Sequence, residues 1–92
     1  MEYTTIILKI PKYRPEDGLN LEWDPGFVIN IKQENDAVIL QANNAGLKSL
    51  AKHLISLSNE EIPANVHIHF DDSNSLEVGS RELIIEKINT QR

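Results

Sequence analysis

The stretch FVINIKQENDAVILQANNAGLKSLAKHLISL, residues 27–57, changes its repeat halfway along and so decides the fold class. In its first part Phe27, Ile29 and Ile31 alternate with Val28, Asn30 and Lys32, the period of a strand with one face buried. Glu34, Asn35 and Asp36 make a polar turn, and AVILQA (37–42) returns as the second strand of a hairpin. The period then lengthens. Asn43 and Asn44 are good N-cap residues, because a side-chain carbonyl can accept the free N–H groups of a first helical turn. Leu47, Leu50, Ala51, Leu54 and either Ile55 or Leu57 follow at helical spacing, with Lys48, Lys52, His53 and Ser56 on the other side. Pro63 lies beyond the end. A helix of about 13–15 residues is marginal alone in water and has to lie on a sheet. His53, on its polar side, reads as a solvated residue.

Downstream, ANVHIHF (64–70) reads as a strand with Val66, Ile68 and Phe70 on one face and His67, His69 and Asp71 on the other. DDSNSLEVGS is a loop, and RELIIEKI (81–88) is the last strand. Upstream, YTTIILKI (3–10) is rich in β-branched residues and places Thr4, Ile6, Leu8 and Ile10 on one face. Pro11 stops it. Residues 11–26 hold three of the four prolines and two of the four glycines, an irregular excursion with room for a short strand over 19–23. The expected fold is α+β in β-β-β-α-β-β order, an antiparallel sheet of four to five strands with one amphipathic helix on one face. Residues 1–92 form a single domain in this reading, with an N-terminal strand and irregular segment over 1–26 and a ββαββ core over 27–88. One helix covers one face of the sheet, so the other face, with His67 and His69, is expected to be solvated.

A chain of 92 residues can bury roughly two-thirds of its unfolded surface. No run approaches the ~18 apolar residues of a membrane span. The N-terminus has an acidic second residue and no small-residue cleavage site, so it reads as a mature strand, not a signal peptide. There is no cysteine, hence neither disulfide nor thiolate chemistry, and a cytoplasmic location is the expectation. The formal charge is −5, and it is unevenly spread. Residues 60–86 carry Glu60, Glu61, Asp71, Asp72, Glu77, Glu82 and Glu86 against Arg81 alone, a net of −6. Residues 1–59 net −1, and Lys87 and Arg92 add +2 at the tail. Such a segment repels nucleic acid and attracts a basic protein surface, unless it is simply the solvated side of the domain.

Three chemistries compete for VHIHFDD (66–72). A strand His-x-His presents two imidazoles on one face, and Asp71 with Glu82 or Glu86 could complete a metal site. Two histidines alone do not make one, and such pairs are common on ordinary polar strand faces. A catalytic reading would join Ser80 to His67 or His69 and an acid. No nucleophile elbow, phosphate loop or zinc-hydrolase motif accompanies it, and Gly79–Ser80 reads more simply as a turn whose hydroxyl caps a strand end. The third chemistry is recognition, by a polar strand face that meets another molecule. Trp23, in LEWDPG, either anchors the N-terminal loop onto the core or serves as an aromatic anchor at a binding surface.

From residue 43 onward, NNAGLKSLAKHLISL, VHIHFDD and LEVGSRELIIEK together resemble bacterial polymorphic-toxin immunity proteins of the group called immunity protein family thirty-two. The matching pattern is an Asn-x-x-Gly-Leu helix start at Asn43 or Asn44 with Gly46 and Leu47, the pair His67 and His69, and an ending through Gly79, Ser80, Glu82, Leu83, Ile84 and Ile85. LEWDPGF extends the likeness to roughly residues 19–88, and residues 1–18 have no counterpart. The resemblance implies a small α+β protein, cytoplasmic and not an enzyme, that binds and neutralises a cognate toxin. It implies no cofactor and carries over no catalytic or metal residue. The matched polar positions could equally serve the fold, with His67 and Glu82 as cross-strand partners and Ser80 as a cap.

The candidate partner-binding residues are therefore His67, His69, Asp71, Asp72, Glu82 and Trp23, and the partner is a protein toxin domain, a basic nuclease among the candidates. Neither nucleic acid nor a membrane is expected. Open edge strands leave both monomer and homodimer in play. The alternatives are a small metal-binding protein using His67 and His69, and a non-catalytic interaction domain unrelated to toxins.

Overall fold

The computed structural model describes residues 1–89, so Arg92 lies outside the described residues. Its elements are β1 (Ile29–Glu34), β2 (Ala37–Ala42), α1 (Asn44–Leu57), β3 (His67–Phe70) and β4 (Leu83–Glu86). β1 and β2 pair antiparallel in an unbroken register from Ile29↔Ala42 to Glu34↔Ala37. The turn between them needs a residue in the left-handed region, and Asn35 supplies it at φ 54°. β3 and β4 pair antiparallel from His67↔Glu86 to Phe70↔Leu83.

Asn43 is the joint between the first hairpin and the helix. Its Oδ1 accepts from the Gly46 N–H at 2.8 Å, as an N-cap does, and also from the Val28 N–H at 3.0 Å. Its Nδ2 donates to the Gly26 carbonyl at 2.9 Å. One side chain thus ties the start of α1 to the turn that feeds β1. The core beneath is Ile29, Ile31, Leu50, Leu57, Ile62, Ile68, Phe70 and Leu76, with Tyr13, Leu19, Leu21, Trp23 and Phe27 packed on its edge.

Three expectations need correction. The molecule is α+β with one helix, but its strands form two separate two-stranded sheets, not one sheet of four to five. The reason lies in residues 77–81, which run beside β1 without becoming a strand. The Glu77 N–H donates to Ile29 O at 2.9 Å and the Arg81 N–H to Ile31 O at 2.8 Å. Between them Gly79 turns the chain at φ 87°, and the Ile31 N–H donates to the Ser80 hydroxyl at 3.1 Å where a ladder would offer a carbonyl. Ser80 in turn donates to Asn30 Oδ1 at 2.9 Å. The Ser80 hydroxyl, expected to cap a strand end, instead takes an N–H from within β1, and so interrupts the sheet.

Second, residues 3–10 form no strand, and neither do 19–23. The alternation over 19–23 is present, with Leu19, Leu21 and Trp23 half-buried and Asn20 and Glu22 exposed, but no ladder accompanies it. Residues 3–10 leave Tyr3, Ile6 and Ile7 exposed. β propensity describes a fit to a pleated sheet, and without a neighbouring edge it produces only an extended chain.

Third, α1 is turned about its axis relative to its apolar stripe. It buries Gly46, Ser49, Leu50, His53, Ser56 and Leu57 and leaves Leu47, Leu54 and Ile55 about half exposed. Polar anchors on the 23–27 segment explain the rotation. The Asp24 N–H donates to Ser49 Oγ at 2.8 Å, and Lys52 Nζ meets Asp24 Oδ1 at 2.5 Å. Gly46 permits the close approach, since a Cβ there would lie 2.5 Å from the Val28 carbonyl oxygen and 3.0 Å from Ile29 Cγ1.

Candidate functional site

β3 alternates as its sequence demands, with Ile68 and Phe70 buried beneath it and His67 and His69 exposed above. His69 is the centre of a small charged group. Its Nε2 lies 3.2 Å from Glu82 Oε2 and 3.8 Å from Asp71 Oδ2. Glu82 stands immediately before β4, and the antiparallel pairing of Phe70 with Leu83 brings it beside the end of β3. His69, not His67, is therefore the histidine that Glu82 meets. His67 sits opposite Glu86 in the register, with its ring nitrogen 3.5 Å from the Asn65 carbonyl.

The loop after β3 is held by its own side chains. Asp71 Oδ1 accepts from the Ser73 N–H at 2.9 Å and the Ser73 hydroxyl at 2.8 Å, an Asx turn. Asn74 closes it from the other side, accepting from the Asp71 N–H at 3.1 Å and donating to the His69 carbonyl at 3.2 Å. The Ser73 hydroxyl, then the Ser73 N–H, hold the Asp71 carboxyl below its ordinary range. Desolvation opposes this, while His69 and the Asn74 N–H add to it. Asp71 is therefore a fixed anion at neutral pH. Asp72 faces away from the group, and its Oδ2 accepts from the Gly79 N–H at 3.3 Å.

Beside the charged group lies an open cleft of about 220 Å³, lined by Leu21, Trp23, Ile68, His69, Phe70, Asn74 and Ser75. Trp23 joins the two readings that its sequence left open. Its ring stacks on Phe27 with centroids 4.4 Å apart and meets His53 edge-on at 4.3 Å and Phe70 edge-on at 5.8 Å, so it anchors the N-terminal segment. It also contributes to the wall of the cleft that His69 shares. Of the six candidate residues, then, His69, Asp71 and Glu82 form one cluster and Trp23 borders it, while His67 and Asp72 stand apart.

His53 corrects the reading of a solvated residue. It is 1 % exposed, it is packed between Trp23 and Phe70, and its Nε2 has no hydrogen-bond partner among the described residues. Burial lowers its pKa below the ordinary 6.5, Lys52 adds to that, and Asp24 opposes it. The helical pattern concealed this residue because histidine scores as polar, whereas its ring fills space as an aromatic. The spacing of Gly46, Ser49, His53 and Ser56 along one helix face was the available signal.

Among the described residues no three His, Asp or Glu side chains are grouped so as to hold a metal ion. The Ser80 hydroxyl is engaged by β1, not by an imidazole. No helix among the described residues is long and apolar enough to cross a membrane. The His69 imidazole thus lines the cleft, with the Asp71 and Glu82 carboxylates beside it and Ile68 and Phe70 buried beneath the strand.

The chain belongs to the Immunity protein 32 family, whose model matches residues 37–88. The match takes in β2, α1, β3 and β4, and so includes the whole charged cluster, while β1 and Trp23 lie before it. No curated protein and no solved structure matches the chain.

Proposed function

We propose that this protein binds and neutralises a cognate bacterial toxin in the cytoplasm of the producing cell, by recognition and without catalysis of its own. The observation that carries this reading is the convergence of His69, Asp71 and Glu82 beside the Trp23 cleft, within a family of immunity proteins. The net −6 of residues 60–86 favours a toxin with a basic surface, a nuclease cleft being the natural case. The charges accelerate encounter and select the partner, and the cleft supplies the apolar contact that slows dissociation.

The test uses a candidate cognate toxin domain, with binding measured by calorimetry and protection by growth on toxin expression. His69→Ala and Glu82→Ala together are expected to weaken binding about tenfold or more while leaving the circular dichroism spectrum in place. Undiminished affinity in that double variant would move the toxin-facing surface elsewhere.

A further inference from the structure

The outer edge of β2 is a strand edge without protection. The carbonyls of Ile29 and Ile31 and the Ile31 N–H are used on the side of residues 77–81, so β1 meets β2 through Asn30, Lys32 and Glu34. Across the register these face Gln41, Ile39 and Ala37. The N–H and C=O groups of Val38 and Leu40 therefore point outward, and among the described residues nothing in the chain takes them up. Natural edge strands carry a lysine, a proline or a bulge that discourages pairing. AVILQA has no charged residue and no proline, and its register with β1 is unbroken.

The face of this strand repeats the message. Val38 and Leu40 lie on the same side as Ile29, Ile31 and Ala42, because directly opposed residues share a face. Ile29 and Ile31 are sealed, yet Val38 is 66 % exposed and Leu40 40 %. The core thus continues onto β2 and stops uncovered at its edge.

We infer that β2 pairs with β2 of a second copy, antiparallel across a twofold axis, to form a continuous four-stranded sheet β1-β2-β2-β1. Charge selects this occupant. A basic toxin surface gains nothing from an uncharged strand, whereas the second copy presents the same neutral, apolar edge. The acids of residues 60–86 lie in and around the other sheet, so the like charges of two −5 chains stay off the interface strand. With Leu40 opposite its own counterpart, Val38 meets Ala42 and Ile39 meets Gln41, and Asp36 falls outside the paired stretch. Such a contact is isologous and closes on itself.

Sedimentation equilibrium of the full chain tests this over a range of concentrations. The expected mass is twice 10.4 kDa, falling toward 10.4 kDa on dilution. Leu40→Lys places two lysines face to face across the axis and removes two apolar contacts, which raises the dissociation constant about a hundredfold. Leu54→Lys, at an exposed site on α1, leaves the mass unchanged and controls for added charge. A wild-type mass of 10.4 kDa throughout overturns the proposal, as does a dimer that survives Leu40→Lys with its circular dichroism intact. A dimer lost on deleting residues 1–12 but retained in Leu40→Lys assigns the contact to the unpaired N-terminal segment and overturns β2 pairing equally.

Discussion

The two sheets of this molecule are built by opposite means. β1–β2 is local: a turn at Asn35 and Asp36 joins its strands, six residues on each side pair, and Asn43 passes the chain directly into α1. β3–β4 joins strands separated by residues 71–82 and pairs only four residues on each side. Closing that longer loop costs more chain entropy, and fewer ladder bonds repay it. The second sheet therefore depends on what surrounds it: Phe70 beneath, Asp71 and Asn74 ordering the loop, and Ser80 fastening the return to β1. The charged face of the protein is carried by the sheet that tertiary packing sustains. The uncharged edge belongs to the sheet that forms locally.

The largest effect that bears on this contrast is removal of the floor of β3. Phe70→Ala is expected to cost about 3–5 kcal/mol in urea unfolding, because Phe70 is fully buried and touches the Trp23–His53 cluster. A loss below ~1 kcal/mol would mean that β3–β4 does not lean on the core, and the contrast would collapse. Next comes Asn43→Ala, expected to cost about 1–3 kcal/mol, since its Oδ1 satisfies both the Gly46 and the Val28 N–H groups. Native-state hydrogen exchange sharpens the point: amides at the start of α1 should exchange faster while those of β3 keep their protection. Equal acceleration in both regions would show that the two sheets open as one.

The smallest expected effect lies where the halves meet, at His53. Its ring is neutral in the fold with a lowered pKa, whereas the unfolded chain takes up a proton around the ordinary 6.5. As pH falls below that value the unfolded state binds more protons, so stability declines until the folded pKa is also passed. Denaturation midpoints at about pH 7.5 and about pH 5 should therefore differ, and His53→Phe should flatten the slope. A slope unchanged in that variant would place the acid sensitivity on another group.

Much of the architecture was legible in the residues. The alternation of Ile29 with Ile31 and of Ile68 with Phe70, the N-cap at Asn43 and the end of α1 before Pro63 all follow from local rules, and each is present. His67 and His69 stand on the exposed face for the same reason. The side of α1 that would be buried was not legible, because Ser49, His53 and Lys52 are drawn in by Asp24 and Trp23, partners more than twenty residues away. Nor was the pairing of His69 with Glu82, which rests on the register between β3 and β4.

Sequence by itself determined which segments are strands in the core, where the helix begins and ends, and which end of the chain is acidic. These depend on periodicity, capping and charge, and all three act over a few residues. Only the tertiary structure decided that Ser80 would interrupt the sheet, that α1 would bury a histidine in place of leucines, and that residues 3–10 would find no edge. Those outcomes depend on competition between distant groups for the same hydrogen bonds and the same volume, and no local pattern records who wins.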